Sequence, residues 1–448
     1  MTPDRTGRPP AGAPRPLVLP GFERRTLPNG LRVEYAGRRG VPEVSLRLVL
    51  ESGAGVEPAA RAGLAELTAR LLTAGTPGRD AMDIARRLDR LGAGYRAAAG
   101  YSVSTVSMHF LSDMLEEALD FLADTVLDAE FPDGEVDRLR SERLDQIDRQ
   151  RDDPATVANL ATIAELFGDG LYGRPVGGTA DTVSEIGRDA VRAFHETRYR
   201  PGGALIIVCG DIVPERLVAA VEARFGAWEG RAARVEPPPA PASREGGVVF
   251  IDRPGSPQSE LRVAGVGVPY GTEDHHAIIV ANAILGGLFN SRINLNLREE
   301  KGWTYGARSG FRFRRGAGPF IARTAVETSK TAPAFEEMLR EIEGMRTGFV
   351  TADELSLARN ALTLSLPLQF ETAAQICGKV SRQRIFDLPD DYWETYRARI
   401  EAVTPDQVRA VCRKHLGRER LTLLAVGDAA EVGPSLDGFG AVDVRPNA

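Results

Sequence analysis

The sequence predicts an α+β protein made of two homologous mixed helix and sheet units, and three observations carry that reading. The length, 448 residues, corresponds to two or three domains at roughly 150 residues each. A run of prolines in VEPPPAPASREGG, with Pro237, Pro238, Pro239 and Pro241, forbids regular helix or central strand and predicts an extended tether. On either side of that tether the chain repeats itself: each half opens on a strand pattern followed by a helix, and each closes on a helix, a strand and a Gly-Asp turn. The division that follows is a disordered arm over 1–20, a first unit over 21–230, a linker over 231–246, a second unit over 247–434 and a tail over 435–448.

In the first half, EVSLRLVLESG places Val44, Leu46, Leu48 and Leu50 on one face of a strand. RAGLAELTARLLTAGT then predicts a helix with Leu64, Leu67 and Leu71 on one stripe and Gly75 as its stop. The second half answers with a weaker strand near Leu261 and Val263 and a helix in EDHHAIIVANAILGG. RAFHETRYRPGGALIIVCGD closes the first unit at Gly210 and Asp211, and RAVCRKHLGRERLTLLAVGD closes the second at Gly427 and Asp428. Such a duplication suggests two α+β layers facing one another.

Composition narrows the function classes. Lys and Arg total 56 against 62 Asp and Glu, a net charge of −6, which argues against a nucleic-acid partner. The three cysteines, Cys209, Cys377 and Cys412, are too few and too widely spaced for a disulfide framework or a zinc ribbon. Apolar runs such as 204–209 and 421–426 fall far short of the roughly 20 residues of a membrane span, so no membrane association is expected. The polar, proline-rich start, MTPDRTGRPPAGAPRP, lacks a secretory pattern, and a cytoplasmic protein is expected.

Familiar catalytic motifs return little. GAGVEP has Gly53 and Gly55 in the first two positions of a dinucleotide fingerprint, but Pro58 stands in the third, where a bulky ring spoils the close approach of helix to strand. No G-x-S-x-G elbow is present. Of the five histidines, none is followed by another at i+4, the spacing that sets two imidazoles on one helix face around zinc. His275 and His276 diverge by about 100° on a helix, so an exposed helix start is expected there. His109 in VSTVSMHF reads as a half-buried strand residue.

Several blocks in order carry a resemblance: LPNGLRV at 27–33, GLAELTARLLTAGT, FPDGEVDRLRSERLDQI, FHETRYRPGGALIIVCGD and LGGLFNSRINLNLREEKGWTYGARSGF. Together they resemble the pitrilysin/insulinase family of zinc metallopeptidases, which includes the mitochondrial processing peptidases. The last block is the most specific, with Gly286, Gly287, Ser291, Arg292, Leu297, Arg298, Lys301, Gly302 and Tyr305 following the family pattern. The resemblance implies a clamshell half built of the two units. It also implies that Arg298 and Tyr305 bind a peptide near its scissile carbonyl, across from a zinc helix, with Gly286 and Gly287 in a turn that a peptide backbone approaches.

The departure lies at the metal. Active members carry His-x-x-Glu-His in the first-half helix, and registering on Gly63, Leu64, Ala65, Leu72, Gly75 and Thr76 puts Glu66 and Arg70 at the two histidine positions and Ala69 at the general base. The third ligand position falls on Gln146. Zinc favours imidazole, thiolate and carboxylate donors, and a permanently cationic guanidinium repels it, so no metal is expected in this chain. Glu66, four residues before Arg70, is instead placed for an i,i+4 ion pair.

The resemblance and its gap together imply a non-catalytic subunit of a heterodimeric zinc metallopeptidase. Inactive alone, it would supply Arg298 and Tyr305 to a partner of the same family that holds the zinc and hydrolyses a peptide substrate. The alternative is a structural or peptide-binding scaffold like the core subunits of respiratory complexes.

Overall fold

The structure is a computed structural model that describes residues 18–241 and 247–447. Most of the expected arm (1–17) and part of the expected linker (242–246) lie outside the described residues.

Runs of β-branched and leucine residues build two six-stranded sheets. The first contains β1 (Glu23–Thr26), β2 (Arg32–Gly37), β3 (Glu43–Leu50), β4 (Gly94–Ala99), β5 (Ser104–Leu111) and β6 (Leu205–Gly210), in the order β1-β2-β6-β3-β5-β4. Only the β2–β6 pair is parallel. The second contains β7 (Val248–Asp252), β8 (Gln258–Val266), β9 (Ala307–Phe311), β10 (Pro319–Glu327), β11 (Thr422–Gly427) and β12 (Val442–Pro446), in the order β9-β10-β8-β11-β7-β12. Strand for strand, β2, β6, β3, β5 and β4 correspond to β7, β11, β8, β10 and β9 in neighbour and direction. The duplication expected from sequence is therefore a duplication of topology.

The outer strands differ. β1 is antiparallel to β2, whereas β12 runs parallel to β7. The stretch 435–448, expected as a tail, thus contributes a strand that pairs with the otherwise open backbone of β7.

The helices that position the site are α1 (Leu64–Leu71), α2 (Asp133–Gln150), α3 (Pro154–Phe167), α4 (Arg188–Arg198), α5 (His275–Asn282), α6 (Ala373–Ile385) and α7 (Pro405–His415). α1 packs on α4, and α5 packs on α7, the same pairing in each half. α3 and α6 cross over. From the first half, α3 lies on β8 and β11, burying Ala158 against Val249, Ile251, Leu424 and Val426. From the second half, α6 lies on β3 and β6, burying Ile376, Cys377 and Val380 against Val49, Leu205 and Ile207. Each unit therefore covers an apolar sheet face of the other. The sequence pattern of a single half leaves that face unsatisfied.

A buried ion pair fastens the joint. Arg315, before β10, meets Glu51, after β3, through two hydrogen bonds of 2.6 and 2.8 Å, and both side chains are largely buried. Arg315 also donates to the carbonyls of Ile385 and Val235, so the guanidinium gathers α6 and the start of the tether.

Two sequence expectations are corrected here. α1 ends at Leu71, before Gly75, which pairs with Asp80 and packs so closely on Pro132 that a Cβ would come within 2.8 Å of it. One helical run, His275–Glu300, is long and apolar enough by composition to cross a membrane, contrary to the expectation that no such run exists. It is interrupted at 288–291, and 56% of its apolar window is buried within the fold, as suits a core element.

Candidate functional site

The face of α1 that carries Glu66, Ala69 and Arg70 is set by a tight start. Gly63 has φ +104° and lies against the Gly177 carbonyl, so a side chain there would be both strained and crowded. Glu57 caps the helix: its two oxygens accept the backbone N–H of Gly63 (3.1 Å) and of Ala65 (2.8 Å). Burial pushes this carboxyl up to about 7, against the amide donors that favour its anion. Glu57 escaped the sequence reading. The available signal was an acidic residue a few positions ahead of a predicted helix start.

Two of the three ligand positions meet on a shared partner, and the third turns away. Arg70 Nη2 lies 2.7 Å from Glu142 Oε1 on α2, and Gln146 Nε2 donates to the same oxygen at 3.2 Å. The Arg70 guanidinium holds the Glu142 carboxyl below its usual range. Glu66 does not form the expected ion pair with Arg70. Its Oε2 accepts the backbone N–H of Ala99 at 2.7 Å, at the end of edge strand β4. The i,i+4 pair loses to two partners from other elements, each better placed. Glu142 was also missed, although it stands four residues before Gln146 on the same helix face.

These residues do not fit a zinc ion. One position presents a guanidinium, one an amide whose nitrogen is engaged with Glu142, and the general-base position is the methyl of buried Ala69. Among the described residues, no group of three or more His, Cys, Asp and Glu is placed to hold a metal. Beside this face opens a cleft of about 410 Å³ lined by Ala69, Arg70, Tyr95, Ala97, Glu135 and Arg138.

The second block is held by a set of polar anchors. Arg292 makes a bidentate pair with Glu354 at 2.6 and 2.9 Å, Asn296 donates to Glu337 and Glu341 at 2.8 Å, and Lys301 lies 3.1 Å from Glu337. Asn294 accepts the N–H of Ala307, which fixes the return into β9. Arg298 and Tyr305 stand apart from these anchors. Arg298 stacks its guanidinium 4.5 Å over the exposed Phe289 ring and otherwise meets its own neighbour Glu299 at 3.6 Å. Tyr305, past the turn at Gly302 (φ +67°), is 96% exposed. Within the described residues, no hydrogen bond, ion pair or ring contact joins Arg298 or Tyr305 to Glu66, Arg70 or Gln146.

Gly286 and Gly287 end the helical run of α5. A Cβ on Gly286 would fall 2.5 Å from Ser309 of β9, and one on Gly287 would fall 2.8 Å from Asn282. Asn282 and Ser309 are themselves doubly hydrogen-bonded. The close approach that Gly286 permits is thus made by the protein's own strand.

The histidines differ from expectation. His275 is buried, stacked on Tyr270 at 4.4 Å with its Nε2 3.0 Å from the Tyr392 hydroxyl, and is not an exposed helix start. The aromatic cage around it wins over its position at a helix end. His109 does lie on a strand, β5, but on its exposed side. Gly53 precedes and Gly55 lies within a single 3-10 turn (Ala54–Val56), where Cβ atoms would strike the 100–103 turn and Val235, which accounts for both glycines by packing.

Two family descriptions match the chain: "Insulinase (Peptidase family M16)" over residues 32–180 and "Peptidase M16 inactive domain" over 185–362. The fold is that of a two-domain, zinc-peptidase-like half that carries Glu66, Arg70 and Gln146 at the positions the resemblance assigns to the metal. The chain belongs to the insulinase family, peptidase family M16. It is similar to an uncharacterized zinc protease of Mycobacterium tuberculosis, 29% identical over 397 residues that cover 88% of this chain and 91% of that protein. A second uncharacterized zinc protease, from Streptomyces coelicolor, is 28% identical over 410 residues, covering 90% and 89%. Among solved structures, a peptidase M16 inactive domain from Pseudomonas fluorescens superposes with a TM-score of 0.84 at 27% identity, covering 91% of this chain and 98% of that one. A protease from Helicobacter pylori shares the fold, with a TM-score of 0.86 at 15% identity, covering 92% and 100%.

Proposed function

We propose that this chain is the zinc-less subunit of a two-chain peptidase, lending Arg298 and Tyr305 to the active site of a metal-bearing partner of the same family. One observation carries the reading: the anchors of the 292–307 block are satisfied internally, while the half-exposed guanidinium of Arg298 meets, among the described residues, only the exposed Phe289 ring and its neighbour Glu299, and the phenol of Tyr305 faces outward. A 96% exposed tyrosine adds little to the stability of the isolated chain. Its hydroxyl is free to donate a hydrogen bond to a carbonyl oxygen on which negative charge develops. Arg298, with a fork of donors that lysine does not reproduce, suits a neighbouring backbone carbonyl of the same peptide.

Zinc, in this reading, is the partner's, and the peptide lies between the two chains. Co-expression with a relative from the same genome that carries His-x-x-Glu-His, followed by size-exclusion chromatography with light scattering, tests the assembly. A one-to-one complex with peptidase activity absent from either chain alone is expected. A chain that stays monomeric, or that only self-associates, sinks the proposal.

The packing of Gly286 on Ser309 favours a second reading, a peptide-binding or structural scaffold without catalytic role, because it leaves that glycine a structural purpose. In that case the complex would form, but Arg298 and Tyr305 variants would keep full activity.

A further inference from the structure

We propose that the joint between the two domains is a binding site for a small, multiply charged anion bearing phosphate or carboxylate groups, held by Arg47, Arg314 and Arg382. A cleft of about 330 Å³ opens there, and its lining includes these three arginines together with Tyr101, Thr105 and Ser381. Cavities of this size at domain interfaces are common ligand sites. Both halves contribute: Arg47 comes from β3 and Thr105 from β5, Arg314 from the turn before β10, and Ser381 and Arg382 from α6.

The charge is local and uncompensated. The protein as a whole carries a net charge of −6, yet no carboxylate is among the residues lining this cleft. Arg315 also lines it, but its charge is met by Glu51. The other three have no ion pair within the described residues. Arg47 donates from Nε to Ser107 Oγ at 3.1 Å, and its two terminal nitrogens make no hydrogen bond among the described residues. Arg314 is sandwiched by rings, its guanidinium 4.1 Å from the centroid of Tyr101 and 4.5 Å from that of Tyr172, which fixes its plane. Ser381, on the same wall, is buried, and its hydroxyl has no hydrogen-bond partner.

Burial works against the charge of Arg47 and of Arg314 and lowers the pKa of each. An anion between them offsets that cost through charge-assisted hydrogen bonds, and the planar fork of a guanidinium matches phosphate and carboxylate oxygens. Because the site spans the 100–103 turn of one domain and α6 of the other, its occupant ties the two together and favours the folded form.

Isothermal titration calorimetry on the full chain, with pyrophosphate and separately with citrate at ionic strength matched by sodium chloride, tests the site. Saturable binding at one site per chain, with a raised melting temperature, is expected for at least one probe. Preference for pyrophosphate assigns a phosphate ligand, and preference for citrate a carboxylate one. Arg382→Gln, on an exposed helix position, should weaken binding about tenfold or more while the apo protein melts as before. Arg47→Gln gives a second reading from the other domain. Absence of binding by both probes, or an unchanged dissociation constant in Arg382→Gln, overturns the proposal.

Discussion

Arg70 and Glu142 meet at 2.7 Å, and Gln146, which with Arg70 stands at a position the resemblance assigns to a zinc ligand, closes the arrangement on the same carboxylate oxygen. An ion pair and an amide thus join α1 to α2 at this face.

Restoring the donor set should restore the metal. The purified protein is expected to hold no stoichiometric zinc. The fourfold variant Glu66→His, Ala69→Glu, Arg70→His, Gln146→Glu is expected to bind close to one ion per chain, since α1 and α2 already hold these positions near one another. Elemental analysis after dialysis decides it. A fourfold variant that folds but binds no zinc would show that the helices have drifted from ligand geometry.

The Glu51–Arg315 pair should matter far more to stability than Arg70–Glu142. Glu51→Gln leaves a buried guanidinium without its counter-charge, and breaking such a pair typically costs about 3–5 kcal/mol. Glu142→Gln, at a half-exposed pair, should cost about 0.2–1 kcal/mol and less at high salt. Urea denaturation of both variants checks the ranking. Equal effects would contradict the burial argument.

Acid should weaken the second domain through its histidine cage. Burial lowers His275 to about 3 and His276 to about 4, with smaller contributions from His276 and Arg382 on the former and from Arg399 on the latter. Below about pH 6.5 the unfolded chain binds protons that the folded one refuses, so stability falls as pH drops from about 6.5 toward 4. The slope reaches about 1.4 kcal/mol per pH unit for each histidine. Chemical denaturation between pH 7 and 4 measures it, and His275→Gln should flatten the slope. An unchanged slope in that variant would mean the loss comes from elsewhere.

In a reconstituted pair with a zinc-bearing relative, Tyr305→Phe should lower turnover by roughly a hundred- to a thousandfold, the usual effect of removing one donor to a developing oxyanion. Melting temperature should hardly move, because the ring is exposed. Arg298→Ala should in addition raise KM. Full activity in both variants would leave the two residues without a role in the reaction.

The sequence by itself determined the duplication, the family and the residue types at the metal positions. These rest on features that survive in one dimension: alternation along β3 and β8, the helix–strand–Gly-Asp closure of each half, and residue types such as Arg70 whose charge excludes zinc wherever the neighbours lie. Local rules failed where a distant element offered a better partner. Glu66 turns to Ala99, Arg70 to Glu142 and His275 to Tyr392, each across elements that sequence spacing does not relate. The exchange of α3 and α6 between the sheets, the strand formed by 442–446 and the arginine-lined joint likewise appear only once the two units pack. Periodicity identifies which face of an element is apolar, whereas the partner that covers it depends on long-range packing that no local pattern encodes.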